Sequence, residues 1–232
     1  LGFSSLFLSF MFAGLLAMAL PGGALLLLFA LPLLSLGYMI ATRSALDGGP
    51  VHPGQLIEPL RAAQPEAKQR RRALLVLCAA YMAVSLAIIV ISNWVDGGRF
   101  ERLQELVARG GGSSATQTEI ETLLGDPALA FGMMLRFGLA SLLAIPFWHA
   151  PALVWWGGHG VGQALFSSSI AIWRTRGAFL GYVASWAALV GLFGLLVGFL
   201  LPLLGLQQLV GILTMPAALV FSIVFYVSLY FS

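Results

Sequence analysis

Residues 73 to 92 read ALLVLCAAYMAVSLAIIVIS and follow directly on Arg70, Arg71 and Arg72. An uncharged run of this length matches a hydrocarbon layer about 30 Å thick, crossed at about 1.5 Å of rise per residue. The run is continuous rather than alternating, so it reads as a helix whose backbone groups are satisfied internally and not as a barrel strand. Working outward, five further stretches meet the same requirement: Leu1–Leu20, Ala24–Ala41, Phe137–Trp156, Ala178–Leu201 and Leu209–Phe231. None of the six carries a charge. The expected fold is an all-α, polytopic membrane helix bundle with six transmembrane helices and short interfacial helices, one integral membrane domain over residues 1–232.

Composition agrees. Of the 232 residues, 59% are apolar and 9% are charged, where a soluble domain has about 45–50% apolar residues and about a quarter charged. The single cysteine, Cys78, excludes a disulfide framework and reads as a small buried hydrophobe. A net charge of +3 is too small, and too clustered beside apolar runs, to argue for nucleic acid. Pro21-Gly22-Gly23 breaks the first pair of spans into a hairpin, and Pro202 with Gly205 does the same for the last pair. The first span lacks the basic start and small-residue cleavage site of a signal peptide. The chain opens at Leu1 without an initiator Met, so residues upstream are expected.

The loops set an orientation. Residues 42–72 hold Arg43, Arg61, Lys68, Arg70, Arg71 and Arg72 against three acids, and residues 157–177 hold Arg174 and Arg176 with none. The loop over residues 93–126 carries Arg99, Arg102 and Arg109 but six acids. Basic loops face the cytoplasm. The expected location is therefore the bacterial inner membrane, multi-pass, with both termini cytoplasmic. The outer loop predicts an amphipathic helix over residues 99–108, stopped by Gly110-Gly111-Gly112, and a second helix entered by a Thr116-x-x-Glu119 capping box. In the cytoplasmic loops, Gly54-Gln55-Leu56 echoes Gly162-Gln163-Ala164-Leu165, which suggests a weak parallel repeat.

The residues most open to a role lie in the fourth span. Pro146 and Pro151 remove two backbone donors, and Trp148 and His149 lie between them. His149 has three readings: a hydrogen-bonding repair group for the broken helix, a ligand or substrate contact, or a haem or metal ligand. His52 and His159 form no ligand spacing with it, so no metal and no cofactor is expected. Arg136 marks the outer edge of this span and either snorkels or pairs with an acid of the outer loop. Arg70, Arg71, Arg72, Arg174 and Arg176 are candidate contacts for anionic lipid headgroups, at about 1 kcal/mol each. In the fifth span Gly177, Gly181, Gly191, Gly194 and Gly198 form a small-residue ridge suited to helix packing, within the bundle or across a homodimer. No phosphate loop, zinc-protease helix or nucleophile elbow occurs, and no acid lies within the six spans, which weakens hydrolase and ion-coupled transport readings.

The run Pro146-Phe147-Trp148-His149-Ala150-Pro151-Ala152-Leu153-Val154, followed by Gln163-Ala164-Leu165-Phe166-Ser167-Ser168 and Trp173-Arg174, resembles a family of uncharacterised proteobacterial inner-membrane proteins. Residues 36–43 with Gly48 resemble it too. Members of that family typically carry a basic stretch before the first span, absent here. More distantly, the second half is similar to the membrane domain of some glycerophosphodiester phosphodiesterases. Their separate catalytic domain has no counterpart in this chain, so the resemblance implies a fold and no activity. The leading expectation is a non-enzymatic accessory or scaffold protein, with no catalytic residue, that binds membrane lipids, another membrane protein or a second copy. A passive channel or carrier lined by His149 is the alternative, and a lipid-modifying enzyme the third reading.

The orientation makes a direct prediction. Cysteines placed at Ser44 and Ser168 stay shielded from a membrane-impermeant thiol reagent in intact cells, while one placed at Ser113 is labelled. Labelling at Ser44 and not at Ser113 inverts the arrangement.

Overall fold

The computed structural model describes residues 2–61, 65–108, 114–206 and 208–231, all helix, turn or loop with no strand among them. The helices are α1 Gly2–Met18, α2 Gly23–Leu46, α3 Glu58–Arg61, α4 Pro65–Asp96, α5 Arg99–Ala108, α6 Ser114–Leu124, α7 Pro127–Phe147, α8 Ala150–Trp155, α9 Val161–Arg174, α10 Arg176–Leu195, α11 Leu201–Leu203 and α12 Gln208–Ser228. A 3-10 turn covers Pro53–Leu56 and a π-turn joins α10 to α11. Five stretches are long and apolar enough to cross a membrane: Gly23–Leu46, Ala67–Asp96, Pro127–Trp155, Arg176–Leu203 and Gln208–Ser228. The helix α1 is apolar but shorter, at 17 residues. The fold is thus an all-α membrane bundle.

The centre of the bundle is α2. One face of it packs Leu33, Leu36 and Ile40 against Leu74, Leu77 and Cys78 of α4 and Ala150 and Val154 of α8. Its other face packs Leu34, Tyr38 and Ala41 against Leu6 and Phe7 of α1, with Leu219, Ile223 and Tyr226 of α12 beside them. Tyr38 stacks on Tyr226 at 4.6 Å between ring centroids. Lipid is as apolar as these side chains, so close contact rather than water exclusion holds such helices together. Gly37 meets that need: a Cβ there would lie 2.7 Å from the Leu56 Cα, so only glycine lets the 3-10 turn close on α2.

The helix α7 begins at Pro127, ten residues before the expected start at Phe137. The cause is local. Asp126 caps the helix by accepting the Ala128 N–H at 2.8 Å, and Pro127 occupies the first turn, where its missing N–H costs nothing. That backbone N–H, followed by the Arg99 guanidinium at 2.6 Å, holds the Asp126 carboxyl below its ordinary range. The stabilisation is present above the unfolded carboxylate pKa and is lost as pH falls through the folded one.

The early start puts Arg136 inside α7 rather than at its edge. At the same time α4 runs four residues past Ser92 and carries Asp96 into the helix–helix contact, so an acid does lie within a spanning segment. Asp96 is fully buried, and its Oδ2 lies 3.7 Å from an Arg136 Nη2 that also donates to Asn93. Arg136 stacks over the Phe100 ring at 4.1 Å. Gly132 makes room for this knot, since a Cβ there would fall 2.5 Å from the Asp96 Cβ. The helices α5 and α6 close over it. Arg99 donates to the Asp96 carbonyl at 2.7 Å, and Arg102 ties α5 to Glu119 of α6 at 2.9 Å. The helix α5 spans 99–108 as the sequence predicts, whereas α6 begins at Ser114, so Thr116 lies inside its first turn and does not cap it. The Gly110–Gly112 stop falls outside the described residues.

The buried pair gives the first stability test. Removing one partner strands a charge in the bundle, which costs about 3–5 kcal/mol, whereas removing both is close to neutral. Asp96→Leu and Arg136→Met are each expected to lower the detergent melting temperature sharply, and the double variant to recover most of the loss.

Candidate functional site: the broken helix and its aromatic groove

Pro151 has no N–H, and its ring crowds the carbonyl four residues earlier, so α7 cannot run on through this point. The helix ends at Phe147, passes through Trp148 and His149, and restarts as α8 with Pro151 in the first turn. Pro151 cannot bond the Phe147 carbonyl, and the bond from the His149 N–H to the Ile145 carbonyl is open as well. The Ser168 hydroxyl sits in that gap: it accepts from the His149 N–H at 3.1 Å and donates to the Ile145 carbonyl at 3.2 Å. A side chain inserted into a helix ladder in this way opens a kink while leaving both backbone groups bonded.

Ser168 comes from α9, which folds back to pack along α7, α8 and α4. Its buried stripe is Ala164, Ser168 and Ile172, with Phe166, Ile170 and Trp173 turned outward. Ser168 is fully buried, so a cysteine there reports packing and Ser44 alone carries the inner side of the labelling test. The expected repair by the His149 side chain is therefore made by another residue. The imidazole is half-buried and makes no hydrogen bond among the described residues. The serine-rich run Ser167-Ser168-Ser169 carried the signal, but its target lies 23 residues away at Ile145.

The kink turns Trp148 out of the helix line into a set of edge-to-face aromatic contacts. Its ring meets Phe179 at 5.2 Å, Tyr182 at 6.0 Å and Phe225 at 6.1 Å. Trp186 meets Phe225 at 5.5 Å, and Phe193 meets Phe221 at 5.1 Å. Between α10 and α12, Trp148, Tyr182, Trp186, Phe221, Phe225 and Tyr226 line an open groove of about 630 Å³. A smaller cavity of about 170 Å³ adjoins it behind Trp148, Phe225 and Tyr226, reaching Pro32 and Tyr81. The Tyr182 hydroxyl and Ser228 Oγ lie 2.6 Å apart, so the phenol near the groove is already partnered. The surfaces on offer are aromatic and aliphatic.

The remaining candidates divide. Arg70 donates to the Trp155 carbonyl at 3.0 Å and Arg71 to the Leu60 carbonyl at 3.1 Å. Arg70 thus meets the carbonyl end of α8, where a cation suits the helix dipole. Arg72, Arg174 and Arg176 are exposed, and Arg176 lies over the Trp173 ring at 5.6 Å. Among the described residues the glycine ridge meets no partner: a Cβ on Gly177, Gly181, Gly191, Gly194 or Gly198 meets nothing within 4 Å, and α10 buries no residue. Gly54-Gln55-Leu56 forms a 3-10 turn while Gly162-Gln163-Ala164-Leu165 lies in a 14-residue helix, so the two echoing segments build different structures. Among the described residues, no group of three or more His, Cys, Asp or Glu is placed to hold a metal.

The chain is 32% identical over 234 aligned positions to a Burkholderia thailandensis protein named a "probable inner membrane protein"; the match covers 99% of this chain and 82% of the relative. No family model matches the sequence, and no solved structure matches it.

Deleting the inserted hydroxyl strands the His149 N–H in the break and leaves the Ile145 carbonyl only the Trp148 N–H at 3.4 Å, at a cost of about 1–3 kcal/mol. Ser168→Ala is expected to lower the melting temperature, while His149→Leu and His149→Gln stay near the parent value. The reverse order would return the repair to the imidazole.

Proposed function

The chain belongs to the family of that Burkholderia thailandensis inner membrane protein, and from that premise we propose a non-enzymatic, lipid-binding scaffold of the bacterial inner membrane that holds an acyl chain in the groove beside Trp148. The observation that carries the proposal is the groove itself. It is open to the side, of about 630 Å³, and lined mainly by rings from Trp148 in the kink of the Pro127–Trp155 span, from α10 and from α12. All three helices are of spanning type, so the medium at its mouth is hydrocarbon. Apolar pockets with few polar groups suit apolar ligands. Both cavities beside the break are apolar, which favours retention of lipid over conduction of a polar solute past His149.

Six spans with both termini cytoplasmic complete the reading. In support, Gly2 at the start of α1 lies against Val51 near the end of α2, and Tyr230 lies against Trp156. Both meet the end of the bundle where Arg70 and Arg71 are bonded, and the acidic α5 and α6 join helices at the other. The unpartnered glycine face of α10 remains open to a second copy or another membrane protein, in keeping with an accessory role.

Native mass spectrometry of the full chain, purified in mild detergent, tests the reading. Retained phospholipid is expected on the parent protein and is expected to fall by about tenfold in Trp186→Ala, the loss of a buried aromatic contact worth about 1.4 kcal/mol. A parent free of lipid, or a proteoliposome solute flux abolished by His149→Leu, would replace the scaffold with the channel.

A further inference from the structure

At the end of α2 the sequence places Arg43 and Asp47 one helical turn apart, and Glu58 opens the short helix that follows. These three charged residues share the wall of one pocket of about 380 Å³ with Trp155 and Trp156. Gln55, on the same wall, is buried, and its side chain is committed to the His52 N–H and the Pro50 carbonyl. Among the described residues, none of Arg43, Asp47 and Glu58 is joined to another charge or hydrogen-bonded through its side chain. The Arg43 guanidinium instead lies 5.5 Å from the centre of the Trp156 ring, which leaves its N–H edge free. One pocket therefore carries one cation and two carboxylates without mutual neutralisation.

We infer that this pocket is a headgroup site for a phosphodiester that also bears a primary amine, the phosphoethanolamine group. The inference rests on the lipid-binding reading above and names the class of lipid. A guanidinium presents several N–H donors in a plane and is suited to a phosphate. The two carboxylates on the same pocket wall suit an ammonium, which has three N–H donors. A phosphoglycerol group meets the same carboxylates with no positive charge to offer. A quaternary ammonium has no N–H to donate and takes its recognition from aromatic faces, and the Trp156 face is already occupied by Arg43. Paired tryptophans at the end of a span mark the headgroup level of a bilayer. Trp155 and Trp156 close α8 at the end where Arg70 is bonded, so the pocket lies at the depth where such a headgroup is found.

The test exposes the full chain to vesicles of equal parts phosphatidylethanolamine, phosphatidylcholine and phosphatidylglycerol and reads the bound lipids by native mass spectrometry. The expected result is enrichment of the ethanolamine lipid by about three- to fivefold, the range of partly exposed charge contacts. Arg43→Gln, and Asp47→Asn together with Glu58→Gln, are expected to remove the enrichment without lowering total lipid, and Arg43→Lys to restore part of it. Soluble glycerophosphoethanolamine is added in a parallel arm. Displacement of the enriched lipid assigns the same chemistry to a free ligand as well, and enrichment without displacement assigns it to the membrane lipid. Lipid bound without headgroup preference, or a preference that survives these substitutions, overturns the headgroup site and leaves the acyl groove standing. If the parent binds no lipid, the groove reading fails, and titration with the soluble compound decides the pocket by itself: Trp155 and Trp156 indole signals that move in the parent and not in Arg43→Gln uphold it, and signals that do not move overturn it.

Discussion

The Ser168 hydroxyl stands where a helical hydrogen bond is missing, and the half of the bundle around α8 and α9 takes its shape from that substitution. Pro151 gives up the bond to the Phe147 carbonyl and crowds it, and the neighbouring bond from His149 to Ile145 is open as well. Ser168 closes it from a different helix, bonding the His149 N–H and the Ile145 carbonyl at once. One side chain thereby allows the kink and pins α9 against α7 and α8. In hydrocarbon an unmet carbonyl or N–H is costly, so the kink and the docking of α9 depend on each other. Trp148 lies in the kink, and its contacts with Phe179, Tyr182 and Phe225 connect the break to the groove.

The two ends of the bundle are held by different chemistry. At one end a fully buried Asp96 faces Arg136 across the α4–α7 contact, with Gly132 admitting the close approach. At the other, Arg70 and Arg71 spend their donors on backbone carbonyls, and Arg43 rests on a tryptophan face. Surface ion pairs such as Arg102–Glu119 are worth about 0.2–1 kcal/mol and only tie the outer segments together. The groove, by contrast, is bordered by α10, which buries none of its residues.

Much of this was legible in the residues. The apolar runs located five spanning helices, the last two to within three residues at each end: residues 178–201 against Arg176–Leu203 and residues 209–231 against Gln208–Ser228. The two prolines announced the kink between Phe147 and Ala150. What escaped depended on partners distant in sequence. Nothing near Ser168 says that its target is Ile145, and a histidine beside the break was the more obvious candidate. Asp96 and Arg136 were read as loop and edge because both helices were drawn too short, although Asp126-Pro127 is a recognisable helix start. The glycine ridge is a different case. Its spacing suits a close helix contact, but spacing cannot say whether another helix is there to meet it.

The central claim is that hydrocarbon from the bilayer occupies the aromatic groove. Solid-state NMR on the protein in bilayers with carbon-13-labelled acyl chains measures this directly, through magnetisation transfer to the Trp186 and Trp148 indoles. Strong transfer to both rings, from a lipid that persists after exchange of the surrounding bilayer, is the predicted result. Transfer no stronger than to the outward-facing Trp173, or transfer from water in place of lipid, would contradict it.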